Sequence, residues 1–260
     1  MIPKVIHYCW FGRNPLPELA VKCIASWKKY LPDYEIKEWN EDNFDVNIVP
    51  YTSEAYVAKK YAFVSDYARF WILYHHGGLY FDTDVEVVAP IDDIIARGSF
   101  MGCEREATGA TVSAVAPGLG LGANPGLGLY ADLLAKYSKI HFIAADGTFN
   151  QTTIVEYTSD LLSQKGLKAV SGIQLVDGIY IYPKEYFCPL GLDGVMRITS
   201  NTRSIHHYMA SWSDKRNPIK KEWLHFKSWL QKVLPLRLVN AILGYKKGKR
   251  DKRNKELFGA

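Results

Sequence analysis

Five residues between positions 65 and 84 have types and spacing suited to binding a charged, hydroxylated ligand: Ser65, Asp66, Arg69, Asp82 and Asp84. Asp82 and Asp84 form an Asp-x-Asp pair at the end of the apolar run Gly78-Leu79-Tyr80-Phe81. In a strand, residues i and i+2 project to the same side. The two carboxylates are therefore expected to leave the C-terminal end of a strand together, at the edge where open α/β sheets bind ligands. Convergent carboxylates suit a divalent metal. An acidic pair is also an ordinary end to a strand or turn; the apolar run ahead of this one, begun at Gly77-Gly78, favours a site. Ser65 and Arg69 stand four apart and Asp66 and Arg69 three apart, on one face of a helix. A surface ion pair would use the same spacing. However, Phe63, Val64, Tyr67, Phe70, Trp71 and Leu73 make the helix apolar almost all round, and a buried ion pair is a weak stabiliser, so ligand recognition is favoured.

Other candidates lie further away in the chain. A histidine pair such as His206-His207 is ordinarily structural, but one returning to the carboxylates would complete a metal shell, with Trp212 as an aromatic lid or N–H donor. Trp10 ends the first apolar run and is core by default; if that strand is central, its indole lies beside Asp82 and Asp84 and can stack on a base. Gly118, Gly120, Gly122, Gly126 and Gly128 do not form a dinucleotide fingerprint, because Pro117 precedes and Pro125 interrupts them. They are expected to form a close-approach loop near the site. Asp92-Asp93 reads as a helix N-terminal cap.

The elements that must position these residues are read from periodicity. Residues 4–11 read as a buried strand, 18–30 as a helix with Lys28 and Lys29 in its last turn, 34–39 as a second strand and 40–50 as a loop. Helical patterning runs from Ser53 to His76, with a break expected near Tyr61. Beyond the acidic pair come a strand at 85–88, a short helix at 91–96 and a strand at 100–104. Asn124 is expected to cap a helix opened by Pro125 and reaching Ser138. Another helix spans 152–165, with short strands near 173–182 and 203–208 after it. This alternation indicates an α/β domain with a parallel or mixed sheet, a single unit over residues 1–212.

The formal charge of +5 is unevenly spread: residues 213–260 carry 14 Lys/Arg against 4 Asp/Glu, a net of +10, leaving −5 for residues 1–212. Apolar residues from Trp223 to Leu243 recur at near-helical spacing among lysines, so 213–260 is expected to be a basic amphipathic helical tail. Its 218–255 stretch suits an anionic membrane surface, or packing on the body. Nucleic acid is disfavoured, since the body carries no basic groove. No apolar run approaches a membrane span, and Met1-Ile2-Pro3-Lys4 does not read as a secretory signal. The four cysteines are expected to be free thiols in a reducing compartment. The location expected is cytoplasmic, with peripheral attachment to the inner face of the cell membrane.

Taken in order, the segments Ile2–Gly12, Cys23–Asp45, Ala58–Phe70, Gly77–Val87 and Ile205–Trp212 resemble the bacterial sugar-transferring enzymes of glycosyltransferase family 32, which contain a DXD sugar-binding region. The same order of H-x-x-W, S-D-x-x-R and D-x-D is more distantly similar to the glucosyltransferase domains of large clostridial toxins. The resemblance implies a GT-A type, Rossmann-like domain with a mixed sheet, a nucleotide-diphosphate sugar as donor, and Mn²⁺ or Mg²⁺ as cofactor. It further implies that Trp10 stacks on the base, Ser65, Asp66 and Arg69 meet the donor sugar, and Asp82 touches ribose and sugar. Asp84 would ligate the metal with His206 or His207, and Ser211 and Trp212 would close over the phosphates. Asp82, Asp84 and Arg69 are thus the catalytic candidates. Trp71 and residues 105–118 depart from the family pattern on the expected acceptor side. The function expected is hexose transfer to a polysaccharide or lipid-linked oligosaccharide, with retention. A catalytically silent nucleotide-sugar or carbohydrate binding domain is the alternative.

Overall fold

The computed structural model describes residues 1–191 and 195–209. Ser211, Trp212 and the basic segment 213–260 lie outside the described residues.

The chain opens with β1 (Val5–Cys9), α1 (Glu18–Tyr30) and β2 (Glu35–Trp39), and α1 crosses over so that β1 and β2 run parallel, from Val5↔Glu35 to Cys9↔Trp39. Two helices come next, α2 (Pro50–Val57) and α3 (Tyr61–His76), with the expected break falling at Ala58 to Lys60. The first of them begins at Pro50 rather than Ser53, because proline at the first helical position is already set to helical φ.

After α3 come β3 (Gly78–Tyr80), β4 (Val85–Val87), α4 (Asp92–Arg97), β5 (Phe100–Arg105), β6 (Ala114–Val115) and β7 (Leu121–Ala123). The remaining elements are α5 (Gly128–Tyr137), α6 (Ile154–Gln164), β8 (Gln174–Val176), β9 (Ile179–Tyr182), α7 (Lys184–Phe187) and β10 (Ser204–His206). The helix expected from Pro125 starts instead at Gly128. A turn at Gly126, with φ +76° and its N–H donated to the Tyr74 carbonyl at 2.7 Å, first ties this stretch to α3.

The main sheet runs β2-β1-β3-β7-β5-β9-β8, with β6 beside β5. β3 is parallel to β1 and antiparallel to β7, and β5 is antiparallel to β7 and parallel to β9. The mixed central sheet expected for a GT-A type α/β domain is therefore present. β4 and β10 form a separate two-stranded ribbon. Apolar side chains alternate along β3 and the residue after it: Leu79 and Phe81 join the core beneath α1, α4 and α7, and Tyr80 joins the core beneath α2, α3, α5 and α6. Burial of both faces makes the sheet a rigid platform, leaving its strand ends and the loops beyond them to carry chemistry. All four cysteines are free and buried.

The turn between α3 and β3 requires glycine. Gly77 and Gly78 have φ +65° and +98°, and a Cβ on Gly77 would sit 2.9 Å from the Ala123 carbonyl oxygen. His7 locks the turn from β1, donating from Nε2 to the Gly77 carbonyl at 3.0 Å while its Nδ1 accepts from Trp39 Nε1 at 3.0 Å.

Candidate active site

Asp82, Asp84 and His206 each offer a ligand atom, and these atoms lie within 4.8 Å of one another. The convergence of the two carboxylates is present, but strand alternation is not its cause. β3 ends at Tyr80, and the acidic pair occupies a turn closed by the Val85 N–H on the Asp82 carbonyl at 3.0 Å. α1 steadies β4 just beyond this turn, Trp27 Nε1 donating to the Val85 carbonyl at 2.8 Å and Ser26 Oγ accepting from the Val87 N–H at 2.9 Å.

Asp84 is held by the chain that returns from β10. His206 Nε2 lies 3.1 Å from its Oδ1, the Met209 N–H donates to its Oδ2 at 2.8 Å, and the His207 N–H donates to its backbone carbonyl at 2.9 Å. The His207 ring goes elsewhere: its Nε2 is 2.8 Å from Glu86 Oε2, and Glu86 also pairs with Lys22 at 3.3 Å. Of the two histidines expected near the metal, His206 therefore meets Asp84 and His207 meets Glu86.

Arg69 occupies the other flank, buried at 3% exposure. Its Nη2 donates to Asp66 Oδ1 at 2.9 Å, its Nη1 to Asp82 Oδ2 at 3.3 Å and its Nε to the Ser65 carbonyl at 3.1 Å. The guanidinium also lies over the Tyr80 ring, 4.9 Å from the centroid. The Ser65 hydroxyl turns back to the Tyr61 carbonyl at 3.2 Å, so Ser65 reaches Arg69 through its backbone. Tyr80, which sequence reasoning passed over, donates its hydroxyl to Asp82 Oδ1 at 3.2 Å. The available signal was its place two residues before Asp82 in an alternating run.

The charges differ in consequence. Burial raises the Asp66 carboxyl to about 7 against the pull of Arg69, with Asp82 adding to the rise. Asp82 is also raised, by burial first and then by Asp84, against Arg69. Asp84 goes the other way: burial opposes its charge, but the His206 hydrogen bond and cation and the Met209 amide outweigh burial and hold it below the ordinary carboxylate range. His206 is raised, its burial outweighed by Asp84. One carboxylate is thus kept charged beside two whose charge is less favoured.

The glycine-rich loop does approach closely. The Gly118 carbonyl accepts the Asp82 N–H at 3.2 Å, and a Cβ there would lie 2.1 Å from Asp82 Oδ2 and 3.1 Å from Arg69 Nη1. Trp10 comes directly after β1, its N–H on the Trp39 carbonyl at 2.8 Å and its indole Nε1 donating to the Asn14 carbonyl at 2.5 Å. β1 neighbours β3 in the sheet, so Trp10 stands at the same edge as the carboxylates.

The α/β platform thus carries an acidic pair, a histidine and a clamped arginine beside its strand ends. Residues 17–101 match the family described as the glycosyltransferase sugar-binding region containing DXD motif. The match takes in Ser65, Asp66, Arg69, Asp82 and Asp84 but neither Trp10 nor His206. Inositol phosphoceramide mannosyltransferase 1 of Schizosaccharomyces pombe is 29% identical over 111 residues, covering 38% of this chain and 33% of that protein. Inositol phosphoceramide mannosyltransferase 3 of the same yeast is 33% identical over 98 residues, covering 36% of this chain and 27% of that protein. The chain thus spans about a third or less of the length of these relatives. Among solved structures, the PaToxG glycosyltransferase is similar over 64% of this chain and 70% of its own, at 19% identity and a TM-score of 0.45.

Proposed function

We propose that the protein is a divalent-metal-dependent glycosyltransferase that moves a hexose from a nucleotide-diphosphate sugar to a polysaccharide or lipid-linked oligosaccharide, with retention of anomeric configuration. The observation that carries this reading is the meeting of Asp82, Asp84 and His206 within 4.8 Å, beside a buried arginine shared by Asp66 and Asp82. Two carboxylates and an imidazole suit Mn²⁺ or Mg²⁺. The depressed Asp84 carboxyl, and the His206 Nδ1 that is buried without a partner among the described residues, fit a place built for a cation. A bound cation there would neutralise charge growing on the leaving diphosphate.

The chain's own residues do the rest. Asp84 and His206 would hold the cation. Asp66 and Arg69 present a fixed carboxylate and guanidinium to donor-sugar hydroxyls, with Ser65 behind them, and Asp82 spans sugar and ribose. Trp10 offers its ring to the base, while Ser211 and Trp212 close over the phosphates. In this reading residues 1–212 form the catalytic domain, and the basic segment 213–260 places it peripherally on the anionic inner face of a membrane, through residues 218–255, from the cytoplasmic side. Nucleic acid is not a partner. The names of the yeast relatives support trying mannose donors and lipid-borne acceptors first.

The test is a panel of nucleotide-diphosphate sugars, mannose donors included, assayed for Mn²⁺-dependent release of sugar by the full chain. Turnover with at least one donor is expected; tight binding without turnover of any donor would make the protein a nucleotide-sugar binding domain instead.

A further inference from the structure

Metal-binding histidines ordinarily have the second ring nitrogen tied to a carboxylate, a carbonyl or water, which fixes the orientation of the ring. His206 has no such tie among the described residues: Nε2 faces Asp84 Oδ1 at 3.1 Å, and Nδ1 is buried without a hydrogen-bond partner. What holds the ring is Tyr208, with centroids 4.1 Å apart and planes tilted by 53°. The tyrosine is itself anchored, its hydroxyl 2.9 Å from Cys188 Sγ, and Cys188 is buried at the end of α7.

The backbone at Tyr208 is also unusual. It has φ +48°, a left-handed conformation that is uncommon for a bulky residue and costs on the order of 1 kcal/mol or more. The reversal turns the chain back upon Asp84, so that the next amide, Met209 N–H, reaches Oδ2 at 2.8 Å. Ring and backbone of one residue therefore address the two halves of the same pair, His206 and Asp84.

Resting on the metal-dependent reading above, we propose that Tyr208 is the positioning residue of the cation site: its ring sets the angle of the His206 imidazole, and its left-handed backbone delivers the Met209 amide that holds Asp84. It touches neither donor nor acceptor and acts through those two groups.

The experiment is titration of the full chain with Mn²⁺ in the presence of saturating GDP and, in a second series, UDP, read by the loss of free-Mn²⁺ electron spin resonance. Tyr208→Phe keeps the ring and loses one hydrogen bond, so affinity should stay within about fivefold of wild type. Tyr208→Gly allows the left-handed backbone but removes the ring, and affinity should fall about 10- to 100-fold, the usual effect of removing a group that orients a ligand. Tyr208→Ala loses both and should bind more weakly than the glycine variant. Equal losses for glycine and alanine would overturn the backbone role, and wild-type affinity in the glycine variant would overturn the proposal. Absence of Mn²⁺ binding in the wild type would overturn the metal-dependent reading along with it. A metal-free check uses the His206 ring-proton resonances, assigned with His206→Gln. Lying close against the tilted tyrosine ring, they should be displaced from their ordinary position in wild type and return to it in Tyr208→Gly; no displacement in wild type would contradict the ring contact.

Discussion

Gly118 sets the position of Asp82 as firmly as the charged neighbours do. Its carbonyl takes the Asp82 amide, and its missing side chain leaves the space that Oδ2 occupies. Gly118→Ala should therefore leave a folded protein whose sugar-transfer rate is reduced about 100-fold, since roughly 1 Å of displacement at a reacting centre has that effect. Thermal melting within a few degrees of wild type, measured beside the rate, separates displacement from unfolding. Near-wild-type turnover would show that Asp82 tolerates the shift. Arg69→Lys should be nearly as damaging: a lysine cannot bridge Asp66, Asp82 and the Ser65 carbonyl with one planar fork. At this scale the sequence was partly readable. The shared face of Asp66 and Arg69 and the close-approach glycines were legible from spacing and type. Which of His206 and His207 meets Asp84 was not, because that depends on how the chain leaving β10 returns to the turn before β4, a contact across more than a hundred residues. The Tyr208 conformation was hidden as well, since nothing in a tyrosine marks a positive φ.

The elements behind the site carry their own electrostatics. His7 in β1 is locked neutral, a donor to the Gly77 carbonyl and an acceptor from Trp39. Burial first, then the nearby His76 and Lys37, push its pKa from 6.5 to about 4 against the Gly77 bond. Between those values the unfolded chain binds the proton and the fold does not. His7 therefore contributes stability that is complete above 6.5 and is lost as pH falls towards 4, at up to about 1.4 kcal/mol per pH unit. His76 shifts in the same direction, while His206, raised, contributes stability below 6.5 that is lost as pH rises through its higher folded value. Urea unfolding near neutral pH and near pH 5 should show a marked fall for wild type and a shallower one for His7→Gln, itself less stable at neutrality; parallel slopes would remove His7 from the account. A second prediction concerns Glu54 in α2, which accepts from the Phe142 and Ile143 amides at 2.7 and 2.9 Å. Glu54→Ala should cost about 1–3 kcal/mol, because it leaves those amides unpaired, and denaturant unfolding reads the difference. Long periodic elements such as α1 and α6 were legible in the sequence, the latter closed by a Thr153–Glu156 capping box. α5 was misplaced by three residues because Asn124-Pro125 matches a cap signal locally, whereas the contact of Gly126 with Tyr74 is tertiary.

For the molecule as a whole, the division of charge is the feature that structure over residues 1–191 and 195–209 does not replace. An acidic body with a strongly basic terminal segment suits an enzyme that meets its acceptor at an anionic surface. Flotation with anionic liposomes should carry the full chain and leave behind a chain ending at residue 216; equal flotation would end the membrane reading without touching the site. The α/β class and mixed sheet were legible because alternating strand and helix patterns survive in one dimension. The ribbon of β4 and β10 was not, since its two strands lie far apart in sequence and neither is long enough to announce a partner. In the proposed mechanism Asp84 holds a divalent cation needed for sugar transfer. Mn²⁺-dependent sugar release from the best donor of the panel, wild type against Asp84→Asn, tests it most directly. Asp84→Asn is expected to fold as wild type does and to lose the Mn²⁺-dependent rate; sugar release at the wild-type rate with the same Mn²⁺ dependence would show that Asp84 does not hold the cation.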